Sequence, residues 1–134
     1  MKKISFDFDS TLSEKHIQKF ASKLIELGFD VWITTSRFPN KIAKKKNWWW
    51  VIKNNQELFD VANNLNIQKK NIIFTNGQDK INFLKNNNFL FHLDDDNTEI
   101  ELINESDDIC IGIWTLNNNW KKECKKILNI KYIS

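Results

Sequence analysis

Segments of strand character alternate with segments of helical character five times along the chain, and that alternation restricts the fold more than any other feature. The first strand opens at Lys3 and runs through Ile4, Ser5 and Phe6 into Asp7 and Asp9. The others are read at residues 30–35, 71–75, 89–93 and 109–114. From the second onward they are nearly continuous apolar runs, the pattern of strands covered on both faces. Ile17, Phe20, Ala21, Leu24 and Ile25 recur at helical spacing, with Ser13 placed to cap that helix and Gly28 to stop it. Leu58, Val61, Ala62 and Leu65 define a second helix from Asn55 onward. A third starts near Gln78, with Lys80 in its first turn and Ile81 and Leu84 as apolar contacts. Thr98 is placed to cap a short fourth helix holding Ile100, Leu102 and Ile103, and a fifth runs from about Asn118 to Leu128. Such alternation predicts an α/β, Rossmann-like three-layer sandwich, with a five-stranded parallel sheet and helices on both faces.

A chain of 134 residues is long enough for one continuous core, and no repeat or linker divides it, so a single domain over 1–134 is expected. Three Gly and one Pro exclude a loop-rich or low-complexity chain. The net charge of +3 is far from that of a dedicated nucleic-acid binder, although lysines cluster at 41–46 and 121–126. Cys110 and Cys124 lack C-x-x-C spacing, which argues against zinc or redox chemistry and for free thiols in a reducing, cytoplasmic setting. No apolar run reaches membrane-spanning length, and Asp7 comes too soon after Met1 for a signal peptide, so no membrane partner is expected.

In an open α/β sheet, ligands bind beyond the carboxyl ends of the strands. The first strand brings Asp7 and Asp9 there, the second Thr35, and the fourth Asp94 and Asp95, while Lys80 follows the third at the start of a helix. Side chains two apart on a strand project to the same side, so Asp7 and Asp9 would repel each other unless a cation sat between them or one kept its proton. Carboxylates from two strand ends are hard oxygen ligands that suit Mg²⁺ better than zinc. A hydroxyl, a lysine and a helix N-terminus suit the oxygens of a phosphate. A carboxylate beside such a phosphate can attack phosphorus, and a second can protonate the leaving oxygen and then activate water.

These residues resemble the four motifs of the haloacid dehalogenase (HAD) superfamily of phosphohydrolases. Asp7-Phe8-Asp9-Ser10-Thr11 is similar to the family's Asp-x-Asp-x-Thr, and Thr35-Ser36-Arg37 to its second motif. Lys80 is similar to the third and Asp94-Asp95 to the fourth. The resemblance implies that Asp7 is the nucleophile and a Mg²⁺ ligand. Asp9 would be the general acid/base, with its backbone carbonyl on the metal. It further implies Asp94 as the third ligand, Asp95 supporting the metal or its waters, and Thr35 and Lys80 binding phosphate. An acid at Asp9 favours hydrolysis, since the family's ion pumps carry Thr there. The implied activity is a Mg²⁺-dependent phosphatase acting through an aspartyl-phosphate. A phosphotransferase, or a non-catalytic module that holds a phospho-ligand, are the alternatives.

Only 26 positions separate Asp9 from Thr35, and Lys80 to Asp94 has room only for a helix and a strand, so the chain resembles a family member without a cap domain. The resemblance then implies a large substrate, such as a nucleic-acid end or a phosphoprotein, a nucleotide, or a lid borrowed from a second copy. Phe38-Pro39-Asn40 breaks the second strand. Lys41, Lys44, Lys45, Lys46 and Trp48, Trp49, Trp50 follow, read as a loop with one helical turn. With Arg37 this loop is a candidate for substrate contact, because lysines hold phosphate and aromatic rings stack on bases. Packing of the tryptophans under the next helix, or a dimer patch, are the other readings. His92, inside an apolar strand, reads as a satisfied core histidine, and Asp96 as a helix-capping acid.

Overall fold

The strands are rich in β-branched and aromatic residues, which suit a pleated surface packed from both sides. They are β1 (Lys3–Phe6), β2 (Asp30–Thr35), β3 (Ile72–Phe74), β4 (Phe89–Asp94) and β5 (Ile111–Trp114). In the computed structural model, which describes residues 2–130, they form one parallel sheet in the order β3-β2-β1-β4-β5. The helices are α1 (Lys15–Glu26), α2 (Asn40–Lys45), α3 (Trp49–Asn64), α4 (Ile81–Leu84), α5 (Asn97–Glu105) and α6 (Trp120–Leu128). Among the described residues, no helix is long and apolar enough to cross a membrane.

Side-chain alternation gives the sheet two apolar faces. Ile4, Phe6, Ile33, Phe91, Leu93 and Ile113 form one core with residues of α1, α3 and α6. Trp32, Ile73 and Phe89 form a second, smaller core with Leu84 of α4 and Ile103 of α5. Phe89 and Phe91 share the parity of one strand yet join different cores. The reason is an irregularity in the β1–β4 ladder: Lys3 pairs with Phe89, but Ser5 pairs with His92. One extra residue on β4 flips the facing of all that follows. Cys110 and Cys124 are free, buried thiols, and burial pushes Cys110 up to about 12, which keeps it unreactive.

Four local expectations are corrected. Ser13 does not cap α1; its Oγ accepts from the Ser10 amide at 3.1 Å, and Glu14 flanks the helix without a side-chain cap. Asp96 rather than Thr98 caps α5, its Oδ1 accepting from the Thr98 amide at 3.0 Å. The stretch 41–50 is not a loop with one turn. It holds all of α2 but its first residue and the start of α3, joined through Asn47 at φ 58°. Pro39 sets the extended entry to α2, and Asn55 ties the two helices together by donating from Nδ2 to Phe38 O and Asn40 Oδ1, each at 2.9 Å. Finally, α4 has four residues, too few for a helix dipole to matter at Lys80.

α5 lies directly on β5 because Gly112 leaves room for it. A Cβ at Gly112 would stand 3.0 Å from Ile100 O and 3.2 Å from Ile100 Cα. Gly112→Ala is expected to lower stability by about 1–3 kcal/mol, measured by urea denaturation, because backbone rather than a flexible side chain must move. A loss within error would show that α5 is seated by something else.

Candidate active site

The strand order reverses between β1, the central strand, and its neighbour β4, and in an open α/β sheet such a reversal leaves a crevice beyond the carboxyl ends. Asp7 continues the β1–β4 ladder by one bond, its amide donating to Leu93 O at 2.9 Å. The backbone then turns: the Leu12 amide donates to Asp7 O, the Ser13 amide to Phe8 O, and Ser10 takes φ 58°. This turn separates the two carboxylates. Asp7 is turned inward at 5 % exposure, whereas the Asp9 side chain is 56 % exposed. The expectation that both project to one side assumed that the strand continues, and it ends at Phe6.

Lys80 bridges the centre of the crevice. Its Nζ lies 2.8 Å from Asp7 Oδ1 and 2.6 Å from Asp94 Oδ2, and the residue is 3 % exposed. Its backbone amide donates to Glu99 Oε2 at 2.9 Å, so α5 helps to place it. Thr11 Oγ1 donates to the other Asp7 oxygen at 3.1 Å. Asp94 is fully buried and accepts three times: from Lys80 and His92 Nε2 on Oδ2, and from the Asp96 amide on Oδ1 at 3.0 Å.

Behind Asp94 runs a buried polar chain across β4, β1 and β2. His92 Nε2 lies 2.8 Å from Asp94 Oδ2, His92 Nδ1 lies 2.8 Å from Ser5 Oγ, and Ser5 Oγ lies 2.7 Å from Thr34 Oγ1. Burial pushes His92 below its usual range, so the imidazole is neutral and carries one proton. That proton belongs on Nε2, facing the carboxylate; Ser5 then donates to Nδ1 and Thr34 to Ser5. Every hydroxyl and ring nitrogen is thereby satisfied, and His92 is the core histidine expected.

The charges are not balanced. Burial, and then the charge of Asp94, push Asp7 up to about 8, and Lys80 offsets this only in part. Burial alone would lower Lys80, but Asp7 and Asp94 outweigh it and hold the ammonium above its usual range. Burial alone would raise Asp94, but the His92 hydrogen bond and the Lys80 charge hold it below the carboxylate range. Asp7, Asp94 and Asp95 each offer an oxygen, all within 4.8 Å of one another, a set able to hold a metal ion. The Asp9 carboxylate is not in that set.

The remaining candidates have defined places. Thr35 is fully buried at the end of β2, and its Oγ1 accepts from the Arg37 amide at 3.3 Å. Arg37 meets Asp9 with two bonds, Nε to Oδ2 at 3.0 Å and Nη2 to Oδ1 at 2.6 Å. It also donates from Nη1 to Asn54 O of α3 at 2.7 Å and lies over the Phe8 ring at 5.0 Å. Trp48 is half-buried against Phe38, whereas Trp49 and Trp50 are 67 % and 46 % exposed, so packing under α3 does not describe them. Sequence reading missed Ser5, Thr34 and Glu99. The only signal for the first two was polarity within otherwise apolar strands. No protein-family model, curated protein or solved structure matches this chain.

Proposed function

We propose that the protein is a Mg²⁺-dependent phosphomonoester hydrolase of the HAD type, without a cap domain, acting through an aspartyl-phosphate on Asp7. The observation that carries this reading is the buried Asp7–Lys80–Asp94 cluster, with Asp95 beside it, at the point where the strand order reverses. Asp7, Asp94 and Asp95, with the backbone carbonyl of Asp9, are the residues to hold the ion. The fit rests on charge: three hard carboxylate oxygens converge, and one lysine leaves Asp7 pushed up to about 8. Mg²⁺, when bound, supplies the positive charge that favours ionised Asp7 and offsets the phosphate oxygens.

In the first step an Asp7 oxygen attacks phosphorus, the bond to the leaving oxygen breaks, and Asp9 gives that oxygen a proton. In the second step water attacks the aspartyl-phosphate phosphorus and yields its proton to Asp9, releasing phosphate and restoring Asp7. Lys80 has three N–H donors and uses two on Asp7 and Asp94, leaving one for a phosphate oxygen. Thr35 accepts from Arg37 and keeps its own hydroxyl proton to donate. The β1–β2 connection holds only the turn and α1, and the β3–β4 connection only α4, which supports the reading without a cap domain. The test is phosphate release from an aryl phosphate and a panel of phosphomonoesters in Mg²⁺ and in EDTA. Release in Mg²⁺ alone supports the reading, and inertness in both rejects it.

Arg37 is a positioning residue for Asp9. The two-bond pair must open for Asp9 to carry a proton, and Arg37 returns the carboxylate to one place afterward. Arg37→Ala is expected to lower kcat by about ten- to a hundredfold and to alter the pH profile of kcat/KM, with partial recovery in Arg37→Lys. Unchanged kcat and profile would remove this role. The same pair favours a second reading, a phospho-ligand-binding module in which Asp9 never leaves Arg37. Tight binding of phosphate esters without turnover would identify it, while an added alcohol acceptor competing with water would identify a phosphotransferase.

A further inference from the structure

We infer that the α2–α3 face beside the crevice is a docking track for single-stranded nucleic acid, and that the substrate is such a strand with a terminal phosphate. The substrate assignment rests on the phosphatase reading; the track rests on observations of its own. Four aromatic rings stand in sequence from the crevice outward. Phe38 lines a cleft of about 280 Å³ together with Asp9, Arg37 and Asn54. Trp48 meets Phe38 edge-on at 5.3 Å, Trp50 lies 6.5 Å from Trp48, and Trp49 lies 5.9 Å from Trp50. A second cleft of about 430 Å³, lined by Lys44, Asn47, Trp49 and Ile52, closes the outer end.

The inner end is tied to the chemistry by direct bonds. Trp50 is one helical turn before Asn54 on α3, a rise of about 6 Å, and Asn54 O accepts from the Arg37 that holds Asp9. A terminal phosphate at Asp7 and Lys80 would thus place the adjoining nucleosides along the rings.

Charge selects the occupant. Residues 38–56 contain five lysines and no acidic residue. Lys41, Lys44 and Lys45 are exposed and make no salt bridge among the described residues, while Lys46 Nζ sits 5.2 Å from the Trp48 ring. A second copy of this chain would bring the same lysines against themselves. A phosphopeptide would match the charge but would leave exposed Trp49 and Trp50 without flat partners. Alternating phosphates and flat bases match both features, because bases stack on aromatic rings whatever their identity.

The test is fluorescence anisotropy with labelled single-stranded oligodeoxynucleotides and oligoribonucleotides, phosphorylated at one end, on the wild-type protein in EDTA. Binding is expected, weaker for a duplex, with log K falling against log salt at a slope of about −2 to −3 for three or four phosphates. Trp49→Ala and Trp50→Ala are each expected to weaken binding about tenfold, Trp49→Phe much less. Lys44→Glu should make the slope shallower by about 0.7 or more. The DNA and RNA arms show which sugar the track accepts.

Absent binding, or binding indifferent to both tryptophans, overturns the track. So does a phosphopeptide that binds more tightly, or a dimer lost in Trp49→Ala. Aryl phosphate turnover without oligonucleotide binding overturns this inference and leaves the hydrolase standing. Tryptophan-dependent oligonucleotide binding with no phosphomonoester turned over supports the track and removes the hydrolase.

Discussion

Asp7→Asn is expected to abolish phosphate release, by about a thousandfold or more in kcat, while leaving the fold intact. Asparagine matches the shape of aspartate, so its amide still fits between Thr11 and Lys80. It has no carboxylate oxygen to form the acyl phosphate. It also removes a buried carboxyl whose ionisation burial and the Asp94 charge oppose. Stability in EDTA is therefore expected to hold or to rise. Mg²⁺ behaves in the opposite way. At about one hundred times its Kd it should stabilise wild type by about 2.7 kcal/mol, on the order of 10 °C in Tm, and it should do far less for Asp7→Asn. Calorimetry with and without Mg²⁺, beside a phosphate-release assay, reads all three outcomes. Residual turnover near the wild-type rate would remove Asp7 as nucleophile, and equal Mg²⁺ stabilisation of both proteins would remove it as a ligand.

Lys80→Met should produce the largest loss of stability in EDTA, about 3–5 kcal/mol, because it keeps the stem and deletes the cation between two buried carboxyl groups. Removing one partner of a buried ion pair leaves the other without either water or a counter-charge. Two partners are left here. The double variant with Asp7→Asn is expected to recover part of the loss, since one of the two orphaned carboxyl groups is gone. Mg²⁺ should recover part of it as well, by supplying another cation. Urea denaturation of the four proteins in the cycle measures the coupling. A loss below about 1 kcal/mol in Lys80→Met, or a double variant no better than the single, would show that the crevice already solvates these carboxylates.

Much of the architecture was legible in residue order because periodicity is a local property. β2 occupies Asp30–Thr35 as read, and α1 buries Ile17, Phe20, Ala21 and Leu24, since a continuous apolar run and a three-to-four spacing each report on one element alone. α2 escaped for the same reason. Its one buried residue is Ala43, and one apolar contact makes no period. The cap of α5 escaped because Asp96 and Thr98 are both capping types two residues apart, and only the exit of β4 chooses between them.

The site divides along the same line. Sequence by itself determined which reactive types stand at the strand ends: Asp7, Thr35, Asp94 and Asp95, with Lys80 close behind β3. Tertiary structure decided which of them meet. Lys80 reaches Asp7 across 73 positions, Ser5 reaches His92 across 87, and Arg37 reaches Asp9 across 28. Those distances are closed by strand order and by the extra residue on β4, neither of which leaves a mark on local periodicity. The turn after β1 then sends Asp7 inward and Asp9 out to Arg37, and burial makes one carboxylate hold its proton far more tightly than its sequence neighbours would suggest.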